Sequence, residues 1–153
     1  MKKICLLVIL LCGLMISSMS TVSAAADWVW VYSNKGCACY VDNNSIGRDT
    51  KYSGYVFHAF VKGVLNDAGR EEFIKGMRSQ GITGIQNVSF FVYLQYFKND
   101  NGVKYQATSK GYIYDRNGNL IKEISNKNLE WQTIAPSTYN ETLFDNIRAR
   151  VPN

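Results

Sequence analysis

Few residues of this chain can do chemistry. Cys37 and Cys39 stand one residue apart in Gly36-Cys37-Ala38-Cys39-Tyr40, and His58 is the one histidine. Two thiols and an imidazole are the material of a metal site, a redox pair, a disulfide or a Cys/His hydrolase, and each makes its own geometric demand. Zinc takes about four ligands, and beyond His58 no obvious partner for the thiols exists. In a regular strand, residues two apart share a face with Cα atoms about 6.6 Å apart. A disulfide prefers about 5.5 to 6 Å, so joining Cys37 to Cys39 requires a bulge or turn, which Gly36 permits. Free thiols packed in a strand and a disulfide within or between chains both remain open. A hydrolytic triad on His58 needs a positioned nucleophile and acid, and no G-x-S-x-G elbow is present. His58 reads instead as a hydrogen-bonded or half-exposed strand histidine.

Other ligand signatures are weaker. Asp115-Arg116-Asn117-Gly118-Asn119-Leu120 resembles a calcium loop only in part: Leu120 stands where the loop needs glycine, and the twelfth position is Asn126, not glutamate. It reads as a hairpin turn. The glycines of Gly76 to Gly84 lack both the phosphate-loop lysine and the dinucleotide spacing. No cofactor and no catalytic set are expected.

The compartment follows from the first 26 residues. Lys2 and Lys3 precede an apolar run from Ile4 to Ile16, then small and polar residues ending in Ala24-Ala25-Ala26. This three-part composition is that of a secretory signal peptide, too short in its apolar part for a membrane span. Residues 27–153 are expected to form one exported domain, secreted, periplasmic or at the cell surface. Cys5 and Cys12 leave with the leader, so Cys37 and Cys39 face an oxidising compartment. Leu11 before Cys12 is a poor match to a lipid-attachment site.

About 127 residues then remain, enough for one domain with a real core. Of 17 basic residues two leave with the leader, against 12 acidic ones, for a net charge of about +3. That balance does not suggest nucleic acid, which favours a dense basic patch. Ten tyrosines, seven phenylalanines and three tryptophans lean the chain toward β structure.

The elements that must position these residues follow from periodicity. Asp27 to Ser33 alternates, with Trp28, Trp30 and Tyr32 expected on one face. Cys37 to Asp42 is a second strand in a hairpin, and Ser53 to Leu65 a longer one with Phe57, Ala59 and Val61 opposite His58, Phe60 and Lys62. Asp67 is placed to cap a short helix whose Phe73, Ile74 and Met77 share a face, with Gly81 as its stop. Two long strands flank Asn101-Gly102, a dipeptide suited to the positive φ angles of a tight turn. Another strand runs from Leu120 to Ile124. After Pro136 the period becomes helical: Thr138 and Glu141 form a capping box, and Leu143, Phe144, Ile147 and Val151 form an apolar stripe. The expected fold is α+β, an antiparallel meander of about six or seven strands with a C-terminal helix packed on it.

One strand is apolar on both sides. Val88, Phe90, Val92, Leu94 and Tyr96 lie on one face, Phe91, Tyr93 and Phe97 on the other. A sheet solvated on one side alternates more cleanly, so a helix, barrel closure, a second subunit or a ligand must cover the second face. Phe91, Tyr93 and Phe97, with His58, form the candidate binding face.

Three segments together, Cys39-Tyr40-Val41-Asp42-Asn43-Asn44-Ser45-Ile46, the Tyr114 to Leu120 turn, and the Leu129 to Ile147 segment, resemble the surface-adhesin protein E family of small secreted bacterial proteins. The resemblance spans roughly Asp27 to Val151 and rests on structural motifs. It implies an antiparallel sheet with a packed helix, export and no catalysis. The partners it implies are host extracellular-matrix or serum proteins, with a capacity to form a homodimer; another envelope protein is a further candidate partner. The chain departs from the pattern at the lipid anchor and at Pro136-Ser137, where the serine follows the proline directly. The leading functional expectation is therefore an exported, non-enzymatic binding protein, possessing no transmembrane segment after cleavage and not binding nucleic acid. The alternative is a periplasmic small-ligand or metal-binding module using the aromatic face or Cys37, Cys39 and His58.

Overall fold

The computed structural model of the protein describes residues 25–52 and 54–152. Residues 1–24, which hold most of the expected leader with Cys5 and Cys12, lie outside the described residues, as does Ser53. The chain forms an eight-stranded antiparallel sheet in which six strands make the main path, in the order β1 (Trp28–Ser33), β2 (Cys37–Asp42), β4 (Val56–Leu65), β5 (Phe90–Asp100), β6 (Val103–Tyr114), β7 (Leu120–Ser125). Two short strands extend it: β3 (Gly47–Asp49) on β4 and β8 (Gln132–Thr133) on β6. Among the described residues a 3-10 turn at Asn43–Ser45 and two α-helices, α1 (Asp67–Ser79) and α2 (Tyr139–Arg148), complete the fold. The expected α+β meander with a C-terminal helix on its sheet is the observed fold.

Local chemistry accounts for the turns and caps. Asn101 and Gly102 both take positive φ, 51° and 87°, so the β5–β6 hairpin closes in two residues whose twist matches that of the strands. Asp115 accepts hydrogen bonds from the Asn119 side-chain amide at 2.9 Å and from the backbone N–H groups of Asn119 and Asn117, both at 2.8 Å, and these bonds, the Asn119 side chain's first, hold its carboxyl below the usual range. The turn is thus closed on its own aspartate. Asn66, not Asp67, caps α1, accepting from Gly69 N at 2.9 Å, and Asp67 becomes the first helical residue. At α2, Glu141 N donates to Thr138 Oγ1 while Glu141 Oε2 reaches back to Ser137 N at 2.8 Å, one residue before the cap.

Both helices pack on one face of the sheet. Phe57 and Phe97 pair across β4 and β5 and meet Phe144 of α2 at centroid distances of 5.1 and 5.9 Å. Further along the same face, Phe91 stacks on Phe73 of α1 at 4.9 Å, over Leu65, Ile85, Val88 and Ile113. Gly63 lies under the Phe91 ring, where any side chain would collide with it.

A β-bulge changes one expected face. The β1–β2 register shifts between Trp30 and Tyr32, so Trp30 opposes Tyr40 while Tyr32 opposes Cys39. Tyr32 therefore turns to the helix side and stacks on Tyr139 at 5.0 Å. The extra residue at Val31 inverts everything after it, which strict alternation does not anticipate.

Candidate functional site

The three chemical residues do not converge. Cys37 and Cys39 share the helix-covered face of β2, as a regular strand dictates, opposite Leu65 and Gly63. Both are free thiols; Cys39 is 4% exposed and packed in the core. Burial pushes the Cys39 thiol up to about 11, against a hydrogen bond from Tyr32 that lowers it, and burial raises Cys37 as well. A thiol so held is a poor nucleophile at neutral pH. His58 opposes Tyr96, on the other face of the sheet. Its ring packs against Tyr96 at 5.5 Å and over Gly47, and its Nδ1 is buried without a partner. Among the described residues no group of three or more His, Cys, Asp or Glu side chains is placed to hold a metal ion.

The four residues of the expected binding face also separate. Phe97 is fully buried beneath α2, Phe91 lies beneath α1, and His58 belongs to the opposite side. The residues left without a helix over them are those of the other parity. Trp30, Tyr40, Lys62, Val92, Tyr112 and Glu123 form one row across six strands. Beside it Val64, Phe90, Tyr114 and Leu120 form a second row, with Phe90 and Tyr114 stacked at 4.8 Å. Trp30 is 58% exposed and Leu120 53%. Two lysines of this face lie over its rings: Lys62 Nζ is 4.6 Å from the Phe90 centroid, and Lys98 Nζ is 4.6 Å from that of Trp131. Lys62 in mid-strand was the sequence signal for the solvent side of β4. Extending that signal to β5 needed the pairing register, which periodicity does not supply.

A second feature lies on the helix side. Along β5, Phe91 is covered by α1 and Phe97 by α2, and Tyr93 and Gln95 fall between them. A cleft of about 440 Å³ opens there, lined by Tyr93, Gln95, Gln106 and Thr108 of the sheet, Met77 and Ile82 at the end of α1, and polar residues around β8. Thr108 Oγ1 donates to Gln95 Oε1 at 2.9 Å, and Gln95 Nε2 makes a long contact of 3.4 Å to Gln106 Oε1. The Tyr93 ring lies over Gly111, where a Cβ would stand 2.7 Å from it, and its hydroxyl is buried without a partner. Burial raises the Tyr93 pKa. Sequence reasoning singled out Tyr93 but not the glutamines around it, because nothing local distinguishes a glutamine in a cleft from one on a surface.

Comparison with protein-family models, with curated proteins and with solved structures returns no match.

Proposed function

We propose that this chain is an exported, non-catalytic binding protein that recognises a macromolecular partner through the helix-free face of its sheet. The observation that carries this reading is the row of Trp30, Tyr40, Lys62, Val92 and Tyr112, flanked by Phe90 and Tyr114. Contiguous apolar surface interleaved with charge is characteristic of interaction sites, and tyrosine and tryptophan supply contact area at low entropic cost. Lysines held over aromatic rings suit a partner that presents carboxylates among apolar groups. The leader-like first 26 residues support export. The resemblance to the surface-adhesin protein E family supports a host extracellular-matrix or serum protein as partner, with another envelope protein as the alternative.

Titration of the purified protein against immobilised matrix proteins, serum proteins and peptidoglycan tests this reading. Saturable binding to one of them is expected, weakened by Tyr112→Ser and by Lys62→Glu. Absence of saturable binding to every one of them counts against it. The metal-binding alternative draws no support from geometry, since the thiols and His58 lie on opposite faces.

A further inference from the structure

We propose that the cleft between α1 and the β8 segment is a binding site for a neutral carbohydrate of one or two pyranose rings. The inference is independent of the macromolecular partner, because the cleft lies on the opposite face of the sheet from the open aromatic rows.

Charge narrows the ligand first. The lining contains no lysine, arginine or histidine, and its single ionisable carboxylate is Glu130. An anionic ligand finds no counter-charge there and is repelled by Glu130. A cationic ligand meets one exposed carboxylate, a weak partner in water.

Hydrogen-bonding capacity narrows it further. Gln80, Gln95, Gln106, Asn126 and Gln132 all border the cleft. Each primary amide carries two donor protons and an acceptor oxygen, which matches hydroxyl groups that both give and accept. Thr108 fixes Gln95 by donating to its Oε1, which leaves the Gln95 Nε2 protons only the long contact to Gln106. The amide pair is thus oriented in advance but not saturated.

Apolar surface supplies the other half of sugar recognition. Met77, Ile82 and Ile124 line the same cleft beside the Tyr93 ring. A pyranose presents hydroxyls at its rim and C–H groups on its faces, and this wall offers a partner for each. The volume of about 440 Å³ falls within the roughly 300–1,000 Å³ of small-ligand sites.

The test is amide chemical-shift titration of the purified, isotope-labelled protein with glucose, galactose, N-acetylglucosamine and their disaccharides. Saturable shifts at Gln95, Gln106 and Thr108 from at least one of these are expected. Binding should weaken about tenfold in a Gln95→Leu, Thr108→Val double variant, the loss of one or two hydrogen bonds. Gln132→Ala, at an exposed rim position, should also weaken binding and guards against a folding defect in the double variant. Glucuronate should bind more weakly than glucose, with the difference reduced in Glu130→Gln. Tyr112→Ser on the open face should leave sugar binding unchanged. No saturable shift from any neutral sugar overturns the proposal, and so do shifts confined to the open face or insensitive to both the double variant and Gln132→Ala.

Discussion

Gly36 and Gly69 meet backbone to backbone: a methyl group built on Gly36 would stand 2.8 Å from the Cα of Gly69. Asn66 ties the same junction by donating from Nδ2 to Lys35 O at 2.7 Å, while its N–H donates to Gly36 O at 3.0 Å. The first turn of α1 is thereby fastened to the β1–β2 hairpin. A side chain on Gly69 would run into the Gly36 carbonyl, so Gly69→Ala is expected to cost about 1–3 kcal/mol through forced displacement of backbone. Gly76, in the same helix, has nothing near its missing Cβ, and Gly76→Ala is expected to gain about 0.5–1 kcal/mol from helix propensity. Urea denaturation of the two variants reads the opposite signs directly; equal signs would contradict the observed junction.

The thiols carry a pH dependence whose sign can be worked out. Cys39 titrates near 9.0 when unperturbed and at about 11 in the fold, so the fold favours its neutral form. Its contribution is complete below about pH 9 and is lost as pH rises from there through 11. Stability should therefore fall across that window, and the part owed to Cys39 should vanish in Cys39→Ala. At neutral pH a thiol-reactive reagent should label Cys37, which is half-buried, faster than Cys39. Equal labelling rates in the folded protein would refute the burial argument.

Tyr93→Phe removes a buried hydroxyl that has no partner. The free protein should be unchanged or stabilised by up to about 1 kcal/mol, since the desolvated group costs more than it returns. Thermal unfolding without sugar measures this. A loss of stability would mean that the hydroxyl has a partner within the fold.

Phe144 and Tyr112 are both large aromatics with opposite roles. Phe144 closes the aromatic cluster of Phe57 and Phe97 and is fully buried, so Phe144→Ala should cost about 3–5 kcal/mol. Tyr112 is half-exposed on the face without helices, and Tyr112→Ser should change stability far less while weakening the macromolecular interaction. Calorimetry paired with the binding titration separates the two effects.

The sequence by itself determined the elements whose causes are local. Alternation fixed the long strands, the two adjacent positive φ angles of Asn101 and Gly102 fixed the central hairpin, and Thr138 with Glu141 fixed the start of α2. Leu143, Phe144 and Ile147 were legible as the buried stripe of that helix because their spacing is that of one helical face. Tertiary structure alone decided which side of the sheet is covered. Single extra residues in β1 and β6, at Val31 and Ser109, shift the pairing register and exchange faces along their strands. They leave no mark in composition or period, because a bulge is fixed by its partner strand. Phe91 and Phe97 became core because the two helices docked on their side of β5, which left the rows of Trp30 and Phe90 open and the polar cleft at Tyr93 and Gln95 between the helices. A side chain's period can be read from its neighbours in the chain, but what lies over it is set by contacts between residues far apart in sequence.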